Sequence, residues 1–158
     1  MKNKIFLLGL ITALPIILSW VVYHFHDQIP LKTTNHGEFV SPPIPMVEFS
    51  QDKTWKIVYA PLNCCDETCD KTMFVLHQLR IALGKDADRV SLVLSVDQAC
   101  DIKNLHDFKK QIRTHEPYKN KIYLVDPRGY LFMFYPGDTD PMNILKDLKH
   151  VLEVSQIG

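Results

Sequence analysis

The sequence has no surplus of charge of either sign: 18 Lys and Arg stand against 18 Asp and Glu. A chain without a basic excess lacks the electrostatic footprint of a nucleic-acid-binding surface. There is no low-complexity tract and no internal repeat, which argues against a solenoid. Cysteine is scarce. Three of the four cysteines, Cys64, Cys65 and Cys69, fall within six residues, with Cys100 apart. That clustering argues against a scaffold of disulfide staples and points to a local site. No phosphate loop, no paired catalytic carboxylates and no Ser-His-Asp order stand out, so nothing marks a small-molecule substrate. Asp101, Asp107 and Glu116 read as ordinary solvated charge.

Charge is missing altogether from Ile5 to Tyr23, a run of 19 residues. As a helix this run would be roughly 28 Å long, close to the ~30 Å hydrocarbon core of a bilayer. Lys2 and Lys4 precede it, and no Lys or Arg follows until Lys32. The positive-inside bias then leaves residues 1–4 in the cytoplasm, spans the membrane with 5–23, and puts the remainder outside. Trp20 and Tyr23 suit the outer interface, and Pro15 is tolerable in a membrane helix. A cleaved signal peptide is the alternative. It would carry a shorter apolar region ending in small residues, whereas this run ends Trp20-Val21-Val22-Tyr23. Either way the remainder crosses the membrane, and the expected location is the periplasmic face of a bacterial inner membrane.

Residues 24–53 read as a tether. Pro42, Pro43 and Pro45 favour stiff, extended polyproline geometry. Phe39, Val40, Ile44, Met46 and Val47 are too apolar for a free linker, so part of this stretch should pack on the domain. Residues 54–158 are long enough to bury a core of their own.

The domain alternates. Trp55–Ala60 reads as a strand. Thr68–Leu83 reads as a helix, with Met73, Leu76, Leu79 and Leu83 at helical spacing and Gly84 to end it. Arg89–Val96 is a buried strand. Asn104–Arg113 is expected to be a second helix, with Leu105, Phe108 and Ile112 on one face. Lys121–Val125 and Tyr130–Tyr135 form a hairpin across Asp126-Pro127-Arg128-Gly129. Asp140–Val154 is a helix with Asp140 as cap and Pro141 in its first position. The order β-α-β-α-β-β-α, preceded by one transmembrane helix, fits an α/β thioredoxin-like domain; periodicity alone fits other α/β folds too, and the position of the cysteines decides between them.

The cysteines lie between the first strand and the first helix. A helix N-terminus, with unpaired N–H groups and a positive dipole end, stabilises a thiolate there. The spacing Cys65-Asp66-Glu67-Thr68-Cys69 lets two sulfurs converge on one disulfide or one soft metal ion; thiolate pairs favour Cu(I) and Zn. Asp66, Glu67 and Asp70 oppose this, raising thiol pKa values. The alternative is a plain buried disulfide. Cys64 is a spare thiol or another partner for Cys69. Cys100 reads as a bystander, with a bridge to Cys64 still open.

The strand-CxxxC-helix unit, with Tyr123-Leu124-Val125-Asp126-Pro127-Arg128-Gly129, resembles the Sco/SenC proteins of cytochrome c oxidase assembly. A closer resemblance is to a small bacterial family of oxidase-associated transmembrane proteins related to Sco. It is carried by Asn35-His36-Gly37-Glu38, by Leu79-Arg80-Ile81-Ala82-Leu83-Gly84-Lys85 running into Asp88-Arg89-Val90, by Ile122 through Gly129, by Leu145-Lys146-Asp147-Leu148 and by Ile157-Gly158. The resemblance implies a membrane-tethered thioredoxin-like domain that handles copper and thiols for an oxidase, with Cys65 and Cys69 as the two thiol ligands and Cu(I) as the metal. The histidine that completes the Sco ligand set would fall at Tyr118. His115, three residues earlier, is the candidate substitute, ahead of His36, His77 and His106.

Three functions follow. The first is an assembly factor for a haem-copper oxidase, whose partner is an oxidase subunit or another assembly factor. The second is a general extracytoplasmic thiol-disulfide oxidoreductase, an enzyme; CxxxC in place of CxxC, and Pro117 about four residues too early to face the cysteines, count against it. The third is a non-catalytic interaction protein of oxidase biogenesis.

Overall fold

A computed structural model describes residues 2–25, 34–50, 52–62, 66–96, 102, 105–112 and 119–155. The chain divides into two compact units, Met1–Thr34 and Asn35–Gly158.

The first unit is one helix, α1, Lys2–Phe25, with Pro15 inside it. Leu10, Ile11, Leu14, Ile16, Ile17, Leu18 and Trp20 are all more than half exposed. A helix apolar on every side has no polar face to turn to water. Several side chains near its start lie outside the described set, and among the described residues no helix is long and apolar enough to cross a membrane.

The second unit is built on a six-stranded sheet. Its strands are β1 Glu38–Pro45, β2 Trp55–Ala60, β3 Val90–Val96, β4 Lys109–Ile112, β5 Lys121–Val125 and β6 Tyr130–Pro136, in the order β1-β6-β5-β2-β3-β4. β2 is parallel to β3, and β3 to β4. β5 runs antiparallel to β2 and to β6, and β6 antiparallel to β1. Helix α2, Glu67–Ala82, connects β2 to β3, and α3, Pro141–Val154, follows β6.

Alternation along the strands gives the sheet two apolar faces. Ile57, Tyr59, Leu92, Leu94, Ile122, Leu124, Met133 and Tyr135 face one core with Met73, Leu76 and Leu79 of α2 and Ile144 and Leu148 of α3. Val58, Ala60, Val93, Tyr123, Val125 and Leu131 face the other, closed by Phe49 with Val40, Ile44 and Met46 packed against it. Part of the span read as a tether is thus a strand of the sheet, although Phe39 and Val47 stay exposed. On this second face Lys56 is buried, with Nζ donating to the carbonyls of Asp52 at 2.7 Å and Thr54 at 2.9 Å. Burial pushes its pKa down.

Helix ends follow local chemistry. Leu83 ends α2 and Gly84 follows with φ +61°. The Asp140 carboxylate accepts from Met142 N–H at 2.9 Å, with Pro141 in the first turn of α3.

The helix expected over Asn104–Arg113 is not there. Residues 109–112 form β4, paired with Val93–Val96. Leu105 and Phe108 are apolar at a three-residue spacing, which suits a turn as well as a helix. The structure uses the turn: Phe108 N–H donates to Leu105 C=O at 2.6 Å. His106 and Asp107 have φ of 41° and 67°, a left-handed backbone that no α-helix can contain.

The hairpin turn is tightly docked. Asp126 Oδ1 accepts from Arg128 N–H at 2.9 Å and Tyr130 N–H at 2.7 Å. Gly129 has φ +87°, its carbonyl accepts from Met46 N–H at 2.7 Å, and a Cβ there would lie 3.0 Å from the Met46 carbonyl oxygen. Gly129→Ala should therefore destabilise the fold by about 1–2 kcal/mol from the backbone alone, read as a lower urea midpoint at unchanged slope. An unchanged midpoint would mean that this turn is free to relax.

Candidate functional site

β2 delivers the chain to the carboxyl end of the parallel β2–β3 pair, and α2 starts there. The Asp66 side chain caps α2, accepting from Cys69 N–H at 3.0 Å. Cys69 sits in the first turn and is buried in the core that holds Tyr59 and Met73. It is disulfide-bonded, and no described cysteine is free. Cys64, Cys65 and Cys100 lie outside the described residues, as does His115.

Carboxylates surround this end of α2. Asp66 is the cap, and Glu67 and Asp70 occupy the first turn. Glu67 pairs with Lys71 at 2.6 Å, both exposed. Burial raises the pKa of Tyr59, beneath the cap; a hydrogen bond with Thr72 works against the shift and the Asp66 charge adds to it. Tyr59 is therefore a neutral phenol at the foot of the site.

Two histidines complete this surface. The 105–108 turn lies along one face of α2, over residues 70, 74 and 77, a helical i, i+4, i+7 spacing. His106 Nε2 is 3.0 Å from Asp70 Oδ1, and its ring meets Phe74 edge-on at 5.8 Å between centroids. His77 Nδ1 lies 3.5 Å from Asp107 Oδ2, in range for an ion pair though too poorly placed for a hydrogen bond. Sequence reasoning put little weight on His106. Its one signal is the His106-Asp107 pair itself, since both residue types are enriched in left-handed turns.

A disulfide sulfur is not a thiolate, so Cys69 in this state offers a soft metal no ligand until the bond is reduced. Among the described residues no group of three or more His, Cys, Asp or Glu side chains is placed to hold a metal ion. A disulfide at such a helix start, if reached by an external thiolate, would undergo exchange through a mixed disulfide.

Residues 55–155 match the family described as transmembrane-like, thioredoxin-like, C-terminal domain. The chain belongs to that family. Among solved structures, ScoI of Arabidopsis thaliana with copper bound superimposes with a TM-score of 0.50 at 11% identity, covering 66% of this chain and 87% of that one. Bradyrhizobium japonicum ScoI with copper bound gives 0.47 at 18% identity, over 64% and 87% of the two chains. A SCO1/SenC family lipoprotein from Bacillus anthracis str. Ames gives 0.47 at 13% identity, over 78% and 98%. Among curated proteins none matches. The fold is thioredoxin-like, of the kind that Sco proteins have.

The cap can be tested apart from the chemistry. Asp66→Ala should cost about 1 kcal/mol, and Asp66→Asn, which can still cap, only a few tenths. Thermal melting of the two variants side by side measures this; equal losses would mean that the carboxylate acts by charge and not as a cap.

Proposed function

We propose that this chain is a membrane-anchored, Sco-like assembly factor for a haem-copper cytochrome oxidase. It acts through thiol redox or Cu(I) hand-off at Cys65 and Cys69, on the periplasmic side of a bacterial inner membrane. The observation that carries this reading is the oxidised Cys69 in the first turn of α2, at the carboxyl end of a thioredoxin-like parallel strand pair.

In this reading the reduced pair works in one of two ways. A thiolate attacks a partner's disulfide, forms a mixed disulfide and releases one partner thiol; the second cysteine then closes the intramolecular bond and releases the other. Two thiols are oxidised here as one disulfide is reduced there. Alternatively, the two thiolates carry Cu(I) as cargo, with His115 as a third donor. Copper bound to ScoI of A. thaliana, which shares the fold, supports the second route. Oxidation to the disulfide switches it off, so the redox state of the pair would govern copper transfer.

The anchor is residues 5–23 of α1. Its support is the uncharged run, the exposure of apolar side chains all round the helix, and Lys2 and Lys4 on one flank only. A thiol pair held near a membrane meets membrane-bound partners at high effective concentration. An oxidase subunit or a fellow assembly factor is such a partner.

The Cys65→Ser, Cys69→Ser double variant should reduce oxidase activity and copper loading under copper limitation to the level of a deletion strain. Activity preserved in that variant would favour a non-catalytic interaction protein. Loss of oxidised thiols across many periplasmic proteins, with the oxidase intact, would favour a general oxidoreductase.

A further inference from the structure

The edge strand β1 is poorly equipped to hold itself in the sheet. Pro42, Pro43 and Pro45 have no N–H to give a ladder. Its pairing with β6 joins Glu38 and Phe39 to Phe134 and Met133, then breaks register before Ile44 and Pro45 meet Leu131 and Tyr130. No residue of β1 is fully buried. Low burial and a broken ladder mark the segments that open first in a native protein.

Apart from the half-buried Val40 and Ile44, what fastens β1 lies at its two ends. Before it, Asp147 of α3 is buried and reaches up to the backbone of residues 36 and 37. Asp147 Oδ2 accepts from His36 N–H at 2.8 Å, Gly37 N–H at 2.9 Å and the Tyr135 hydroxyl at 3.0 Å. Asp147 Oδ1 stands 3.1 Å from His36 Nδ1. The Asn35 amide donates to the Gly37 carbonyl. Gly37 is pressed so closely on the core that a Cβ would lie 2.6 Å from the Tyr135 ring and 2.7 Å from Met133 Cγ. After β1, the Met46 N–H clamps onto the Gly129 carbonyl. The pattern fastens both ends of a strand that is weak in between.

We propose that residues 35–46 form a releasable strap, held by the Asp147 clasp at one end and Gly129 at the other, which opens as a unit while β2, β3, β5 and β6 stay folded. Opening frees about 35–40 Å of extended chain at the start of the domain. With the anchor proposed above, the strap is a spare length of leash that extends the reach of Cys69 toward a membrane-bound partner. The opening itself does not depend on that reading: it is a property of the 35–158 unit, and it can hold even where the anchor does not.

Hydrogen exchange on the full chain in detergent micelles, read by mass spectrometry, tests it. In the wild type, amides in residues 36–46 should exchange at least tenfold faster than those in 55–60 and 121–125. Asp147→Ala removes the clasp, and Gly37→Ala drives the segment off the Tyr135 ring. Each should speed exchange in 36–46 by a further tenfold or more and leave 55–60 and 121–125 within twofold. Wild-type exchange in 36–46 matching that in 55–60 would overturn the strap. So would variants that leave 36–46 unchanged, or that raise all three segments by the same factor. A variant that fails to fold would show the clasp to be part of the core and would also overturn it.

Discussion

Trp55–Ala60 is buried at all six positions and paired on both sides, parallel to Val90–Val96 and antiparallel to Lys121–Val125. Each other element of the domain takes its place from this strand. A parallel neighbour requires a crossover, and α2 is that crossover. Because β2 ends at Ala60 and α2 begins at Glu67, the first turn of α2 is held at the carboxyl end of the strand pair. Cys69 is buried there because its turn is pinned from below by Tyr59 and Met73 and capped by Asp66. The placement of Cys69 is thus a consequence of one strand's position.

The same geometry sets the electrostatics. A helix start normally favours thiolate. Here Asp66 already occupies the Cys69 N–H, and Glu67 and Asp70 bring further negative charge. His106 returns positive charge to Asp70 only when protonated. A sulfur in such surroundings gains less from the helix start than one without those carboxylates. The proposed exchange with a chosen partner asks for no more.

Much of this was legible in the sequence. Strands 55–60, 121–125 and 130–135 showed as apolar runs bounded by turn residues. The ends of α2 and α3 showed in Gly84 and in Asp140-Pro141, because caps are local chemistry. Two features of the fold were not legible, and for one reason: they depend on partners distant in sequence. Lys109–Ile112 is a strand because Val93–Val96 lies beside it, and nothing in Leu105-Phe108-Ile112 tells that register from a helical face. Glu38–Pro45 is an edge strand in spite of its prolines, fixed by Asp147, more than a hundred residues on. The motifs Asn35-His36-Gly37-Glu38 and Leu145-Lys146-Asp147-Leu148 were visible as signatures; only the fold shows that they bind each other. At the site, the position of Cys69 was legible from strand-to-helix order. The contacts of Asp70 and Phe74 with His106 were not, since two left-handed residues leave no periodic trace.

The central claim is that the bond at Cys69 is a working disulfide and not a permanent staple. Its reduction potential, measured by equilibrating the full chain against glutathione buffers and counting alkylated cysteines by mass spectrometry, tests this most directly. A working disulfide reduces and reforms reversibly at a potential well above about −300 mV. A value below that figure would make the bond structural and would contradict the account.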